Sequence, residues 1–275
     1  MNCHNGEKFL CDAIKSIYAQ TYSNWEIIFW DNASNDASKE IALSFDHKIK
    51  YFLTKNKTTL GEARNLALKK AKGEYICFLD CDDLYYPQKL ERQVNLMQEG
   101  EFPLCYGSAK FINENNKKIR NFPANYKSGF IFNKLLLHYE INMQSVMLNH
   151  SYLTQHGLNF KTDMQYCPDH NLFMQIAAIN KIGVDSSYLV KYRIVPNSLS
   201  SKTIYLAGFE VRLTLNKILK KYQHLERQFK NEFKLAYAKC DYYDAVSSIY
   251  NHDYKKAKKL LFPIIYLKYQ FIALY

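Results

Sequence analysis

Asp80, Asp82 and Asp83 crowd the end of a short apolar run, YICFLDCDD, over residues 75–83. Three like charges within four positions repel one another unless a cation sits among them. A hard divalent cation with oxygen ligands, itself bound to phosphates, meets that need. A solvated acidic turn before the next helix is the plainer reading, and Pro87 with its neighbours fits it. A second polar cluster closes another apolar run: WEIIFW at 25–30 leads into Asp31, Asn32, Ala33, Ser34, Asn35 and Asp36. A further carboxylate, Asp169, opens an amphipathic segment; taken alone it reads as a helix cap.

The elements that must position these groups follow from periodicity. The runs at 25–30, 49–53 and 75–79 are continuous rather than alternating, so they read as buried strands. Phe9, Leu10, Ala13, Ile14, Ile17 and Tyr18 fall at helical spacing within 7–21. Further helices are expected over 37–45, 60–72 and 87–99. Alternating strands and helices predict an α/β fold with a mostly parallel sheet covered on both faces. Ligands of such sheets bind beyond the carboxyl ends of the strands. Asp31 and the carboxylates of 80–83 are therefore expected at one crevice. No strand precedes residue 7, where a doubly wound sheet normally begins. The sheet should thus lack a strand beside 25–30, or have only a stub from residues 1–4.

Beyond residue 100 the pattern changes. Short strands are expected at 104–108 and 110–113, with a turn at 113–118. A helix is expected over 129–138, a strand over 144–149 and a short helix over 151–155, stopped by Gly157. Leu172, Phe173, Ile176 and Ala177 predict a helix over 169–179, followed by extended chain over 182–193. From 204 onward the sequence reads as helical, with a hint of a hairpin between 235 and 258.

The 275 residues are 48% hydrophobic, enough to bury a core and to argue against wholesale disorder. Net charge is +11, but residues 202–275 hold 14 Lys and Arg against 6 Asp and Glu, so most of it lies at one end. Basicity confined to one region points to an anionic partner such as a membrane surface, or to a solvated helical face. No nucleic-acid module accompanies it, so nucleic acid is not an expected partner. The Cys count is 7, an odd number without a C-x-x-C pair, which reads as a reduced, cytosolic pattern rather than a disulfide framework. Residues 1–20 lack the apolar stretch of a signal peptide. Residues 260–275 are apolar apart from Lys268 and are interrupted by Pro263. They are too short to span a bilayer, and would lie at its interface or fold back.

Six pieces, in order, resemble the family 2 glycosyltransferases of the GT-A fold over about residues 1–200. They are Asn2-Cys3-His4-Asn5, Ala19-Gln20-Thr21-Tyr22, the segment from Asp31 to Asp36, Ala63-Arg64-Asn65, the DXD-type Phe78-Leu79-Asp80-Cys81-Asp82-Asp83, and Pro168-Asp169-His170-Asn171-Leu172. Tyr192-Arg193 with Ser198 resembles a further motif. The resemblance implies a Rossmann-like GT-A domain over 1–200, with a nucleotide-binding half over about 1–100 and an acceptor half over about 101–200. A basic helical region would follow over 201–275. It implies that Asn5, Asp31, Arg64 and Asp82 bind the nucleotide, Asp31 through its base, most often uracil. Asp82 and Asp83 would hold ribose and a Mn²⁺ or Mg²⁺ ion, Asp169 would be the general base, and Arg193 would contact the diphosphate. Pro168, Asn32 and Val195 depart from the family pattern, as does the shortened start.

The first expectation is an inverting, metal-dependent transfer of a sugar from a nucleoside diphosphate, most often UDP, to a glycan or lipid-linked acceptor. The protein would work in cell-envelope polysaccharide synthesis in a bacterium. It would be cytoplasmic, and its basic end could rest on the inner face of the cell membrane. The alternative is a nucleotide-sugar or glycan-binding protein without turnover, because its first strand is missing.

Overall fold

The structure, a computed structural model, describes residues 1–196 and 198–264. Elements are numbered in chain order. The first stretch holds β1 (Asn2–Cys3), α1 (Glu7–Tyr18), β2 (Ile27–Asp31), α2 (Ser38–Leu43), β3 (Ile49–Leu53), α3 (Leu60–Leu68), β4 (Tyr75–Cys77) and β5 (Leu84–Tyr85). Next come α4 (Lys89–Gly100), β6 (Leu104–Ile112), β7 (Lys118–Phe122), α5 (Phe132–Leu137), β8 (Met147–Asn149), α6 (His150–Gln155), α7 (Pro168–Ala177) and β9 (Gly183–Arg193). The described chain finishes with α8 (Leu199–Thr203), α9 (Ala207–Lys221), α10 (His224–Gln228), α11 (Lys230–Tyr250) and α12 (Tyr254–Leu261). Two compact units result. One holds residues 1–131, 140–163 and 180–195; the other holds 132–139, 164–179 and the chain from 196 on.

In the first unit β1, β2 and β3 pair in parallel, with Cys3 opposite Asp31 and Asp31 opposite Leu53. A parallel bridge joins Asn2 to Asp80, so β1 lies between the end of β2 and the carboxylate turn. The start of the sheet is thus a stub of two residues. The remaining strands run in the order β4-β8-β6-β9-β5, with β7 on β6. The α/β expectation holds, but the sheet is mixed rather than mostly parallel. In this second sheet only β6 and β9 pair in parallel; the other pairs are antiparallel. Antiparallel neighbours need only a short turn, and 113–117 supplies one between β6 and β7.

Two expected strands, 104–108 and 110–113, are one strand, β6. The apparent break is a register irregularity against β9 at Gly107, Ser108 and Ala109. A Cβ on Gly107 would lie 2.4 Å from Leu189 Cδ1, so glycine lets the strands close there. The expected strand at 144–149 is shorter: Met143–Ser145 form a 3₁₀ turn before β8.

Apolar spacing explains the core. Leu10, Ala13, Ile14 and Ile17 of α1 are buried together with Phe29, Leu79, Val94, Met147 and Val190. Every residue of β2 is buried, as a strand covered on both faces requires. Lys89 is fully buried; its ammonium donates to Gln93 Oε1 at 2.7 Å and to Cys77 Sγ at 3.2 Å, and sits 4.3 Å over the Tyr85 ring. Beneath the β1 stub is a cavity of about 530 Å³, bordered by Trp25, Ile28, Ala71, Ile76 and Val94.

The second unit is helical. α11 and α12 form the hairpin hinted at by the sequence, turning at His252 with φ 60°. Ala238, Ala245, Ala257, Leu261 and Ile264 pack between them. α9 crosses α11 at Gly208, where a Cβ would meet the Cys240 carbonyl at 2.5 Å. Among the described residues no helix is long and apolar enough to cross a membrane. Most of the apolar stretch 260–275 lies outside the described residues.

Candidate functional site

The carboxyl ends of β1 and β2 and the 80–83 turn share one edge of the first unit. Asp31 ends β2 and is 1% exposed. Its Oδ1 accepts from the Ser34 amide at 2.8 Å and its Oδ2 from the Tyr51 hydroxyl at 2.6 Å. Asn32 fastens the next loop: its Oδ1 accepts from the Thr58 amide and its Nδ2 donates to the Thr58 carbonyl. Asn5 adopts a left-handed φ of 55° and its Oδ1 accepts from the Asn35 amide at 2.9 Å. Asn5 and Asp31 therefore belong to one interlocked pair of loops.

Asp80 is held from two sides. The Arg64 guanidinium, 4% exposed on its side chain, reaches it at 3.3 Å. Gln144 donates to Asp80 Oδ2 at 2.6 Å and accepts from the Asp80 amide at 3.1 Å. The neighbouring Asn65 clasps the backbone of Phe160 in both directions, 2.8 and 2.9 Å. The Ala-Arg-Asn piece thus secures α3 to Asp80 and to the 160 segment.

Arg193 holds the next residues of the turn. Its amide donates to Asp83 Oδ1 at 2.6 Å, its Nε to the Asp82 carbonyl at 2.7 Å and its Nη1 to the Asn113 carbonyl at 3.0 Å. It is 3% exposed, with its guanidinium 4.3 Å from the Phe9 ring centroid. In this arrangement Arg193 braces the carboxylate turn.

The electrostatics of the turn are those of a site short of positive charge. Burial, and then the Asp80 charge, push the Asp82 carboxyl up to about 6. Burial, with Asp82 and Asp80 beside it, pushes Asp83 well above the usual carboxylate range. Asp83 Oδ2 is buried with no hydrogen-bond partner among the described residues. These hard oxygen donors fit Mn²⁺ or Mg²⁺. No cluster of three His, Cys, Asp or Glu side chains suited to a metal occurs among the described residues. The two carboxylates would therefore need further oxygens from a ligand, as a diphosphate provides.

In the second unit Asp169 lies in the first turn of α7, one residue inside Pro168, and is half-buried. It is not the cap, since Cys167 occupies that position without a side-chain bond. A negative charge there is favoured by the helix dipole. The loop before it is gripped by Glu210, 3% exposed, whose carboxylate accepts from the amides of Gln165, Tyr166 and Cys167 at 2.7–3.2 Å. Sequence reasoning missed Glu210, Gln144 and Tyr51.

The model of the family described as "Glycosyl transferase family 2" matches residues 1–157. The chain belongs to the family 2 glycosyltransferases. It is 33% identical over 204 residues to the Escherichia coli UDP-Glc:alpha-D-GlcNAc-diphosphoundecaprenol beta-1,3-glucosyltransferase WfgD, covering 73% of this chain and 78% of that one. It is 37% identical over 193 residues to an uncharacterized glycosyltransferase of Rickettsia conorii, covering 70% of this chain but 32% of that protein. The chain thus spans about a third of the length of the Rickettsia felis and conorii relatives it matches.

Among solved structures, S. aureus TarS 1-349 in complex with UDP-GlcNAc has a TM-score of 0.65 at 15% identity, covering 94% of this chain and 88% of that one. The mannosyltransferase PcManGT from Pyrobaculum calidifontis, in complex with GDP-Man and Mn2+, has a TM-score of 0.64 at 14% identity, covering 97% and 74%. Both likenesses define the GT-A fold.

Proposed function

We propose that this protein transfers a sugar from a nucleoside diphosphate, UDP in the first instance, to a glycan or lipid-linked acceptor, with inversion at the anomeric carbon. The observation that carries this reading is the cation-deficient pair Asp82 and Asp83 at the strand-end edge that also holds Asp31 and Asn5. The glucosyltransferase relative, named for a diphosphoundecaprenol-linked acceptor sugar, supports the acceptor class.

Each residue has a task in this reading. Asn5 and Asp31 shape the pocket for the base, Asp31 through the lone pairs that Ser34 and Tyr51 leave open. Arg64 fixes Asp80, so that the turn presents Asp82 to the ribose and diphosphate. Arg193 fixes Asp83 through its backbone amide, and its remaining guanidinium nitrogen would contact the diphosphate. A bound Mn²⁺ or Mg²⁺ ion would stabilise the negative charge left on the departing diphosphate. Asp169 takes the proton from the acceptor hydroxyl, a poor nucleophile without a base. Attack from the face opposite the leaving group inverts the anomeric centre. The basic C-terminal helices, with α12 carrying Lys255, Lys256, Lys258 and Lys259, would rest on anionic lipid at the inner face of the membrane.

The test is transfer and donor hydrolysis by the purified protein with a panel of nucleotide sugars and Mn²⁺. Asp83→Ala should abolish cation-dependent donor binding. Asp169→Asn should keep donor binding and lose turnover by about 100-fold or more. Turnover that survives Asp169→Asn would remove the base assignment; donor binding without turnover in the unaltered protein would remove the transferase reading.

A further inference from the structure

Cys3 ends β1, and Cys81 stands between Asp80 and Asp82. The parallel bridge between Asn2 and Asp80 makes Cys3 and Cys81 the next neighbours in register. Such neighbours send their side chains to the same face. Here the side chains meet. A Cβ on Gly6 would lie 2.6 Å from Cys81 Sγ and 2.7 Å from Cys3 Sγ, so both sulfurs border one point. Cys3 donates to Ser38 Oγ at 3.4 Å. Gly6 is the residue that leaves room for both sulfurs.

Adjacent strands run roughly 4.8 Å apart. That falls within the Cα separation, about 4.4–6.8 Å, at which a disulfide closes without backbone movement. Exposure differs within the pair: Cys3 is 2% exposed and Cys81 is half-buried. Cys77 and Cys105 offer a contrast. Both pair with Met147 from opposite edges of β8, which puts two strand spacings between them.

We propose that Cys3 and Cys81 are a dithiol modification site, which a small-molecule disulfide such as oxidised glutathione converts to an intramolecular disulfide between the end of β1 and the carboxylate turn. The Cys81 sulfur attacks one sulfur of the reagent, forms a mixed disulfide and releases one glutathione thiol. The Cys3 sulfur then attacks the Cys81 sulfur and releases the second. The two protein thiol hydrogens end on two glutathione molecules, and the two electrons reduce the reagent's disulfide. The new bond flanks Asp82, so on the reading given above it also alters how the turn binds cation and diphosphate.

The test uses the full chain, reduced, freed of reductant and incubated with oxidised glutathione. Remaining thiols are then alkylated and the digest is mapped by mass spectrometry. The expected product is a Cys3–Cys81 cross-linked peptide, lighter by two hydrogens and reversed by dithiothreitol, with loss of two alkylatable thiols. Cys3→Ser should arrest the reaction with glutathione retained on Cys81. The proposal is overturned if both cysteines of the unaltered protein stay alkylatable while half-buried Cys11 reacts. It is equally overturned if Cys3→Ser traps no glutathione on Cys81. Because linkage is read by mass, it stands or falls apart from sugar transfer.

Discussion

Asp82 gives the sharpest prediction at the scale of the residue. A carboxyl raised from 3.8 to about 6 holds its proton more tightly in the fold than in the unfolded chain. Its cost to folding is therefore absent below the ordinary value and grows as pH rises through about 6. At most it reaches about 3 kcal/mol. Asp82→Asn should raise the melting temperature at pH 8 and leave it nearly unchanged at pH 3; equal effects at both would place the shift elsewhere. Arg64→Met should lower stability by about 2–3 kcal/mol in urea titrations, because it strips a charged partner from Asp80. The acidic strand ends were legible in the sequence, since three carboxylates closing an apolar run demand an explanation. Their supports were not. Gln144 stands 64 positions from Asp80, and Tyr51 lies 20 from Asp31. Nothing local marks a side chain that acts across such a gap.

At the scale of the element, α3 shows how closely the site is fitted. Thr59 caps it by accepting from the Glu62 amide at 3.2 Å, and Thr59→Ala should cost about 1 kcal/mol. A Cβ on Gly61 would lie 2.4 Å from the Lys161 carbonyl oxygen. Gly61→Ala must therefore push backbone apart, and we expect a loss of about 2 kcal/mol or more, read as a lower denaturation midpoint. α7 depends likewise on Glu210. Glu210→Gln should loosen the three amides it gathers and lower kcat while the donor KM holds, if Asp169 works as the base. Strand positions were read well from apolar runs, and β3 falls on the expected residues. β6 was divided at Ala109. The irregularity is real, but β9 alongside carries the strand through it. Periodicity reports burial within one segment and cannot report a neighbour that repairs it.

At the scale of the molecule, charge and connectivity govern. If the basic helices contact anionic lipid, binding to phosphatidylserine vesicles should fall steeply between low and physiological salt, and neutral vesicles should retain nothing. Binding to both vesicle types alike would discard that surface. The parallel start of the sheet was legible because helices alternate with strands there. The antiparallel remainder was not, because pairing direction depends on turns rather than on composition. Lys89 carries one last consequence. Its ammonium is sealed among Cys77, Gln93 and Tyr85, whereas Lys255, Lys256, Lys258 and Lys259 lie open. An acylating reagent tags the open amines at once and reaches the sealed one only when the first unit opens. The slow appearance of that single acylated peptide is thus a built-in clock for opening.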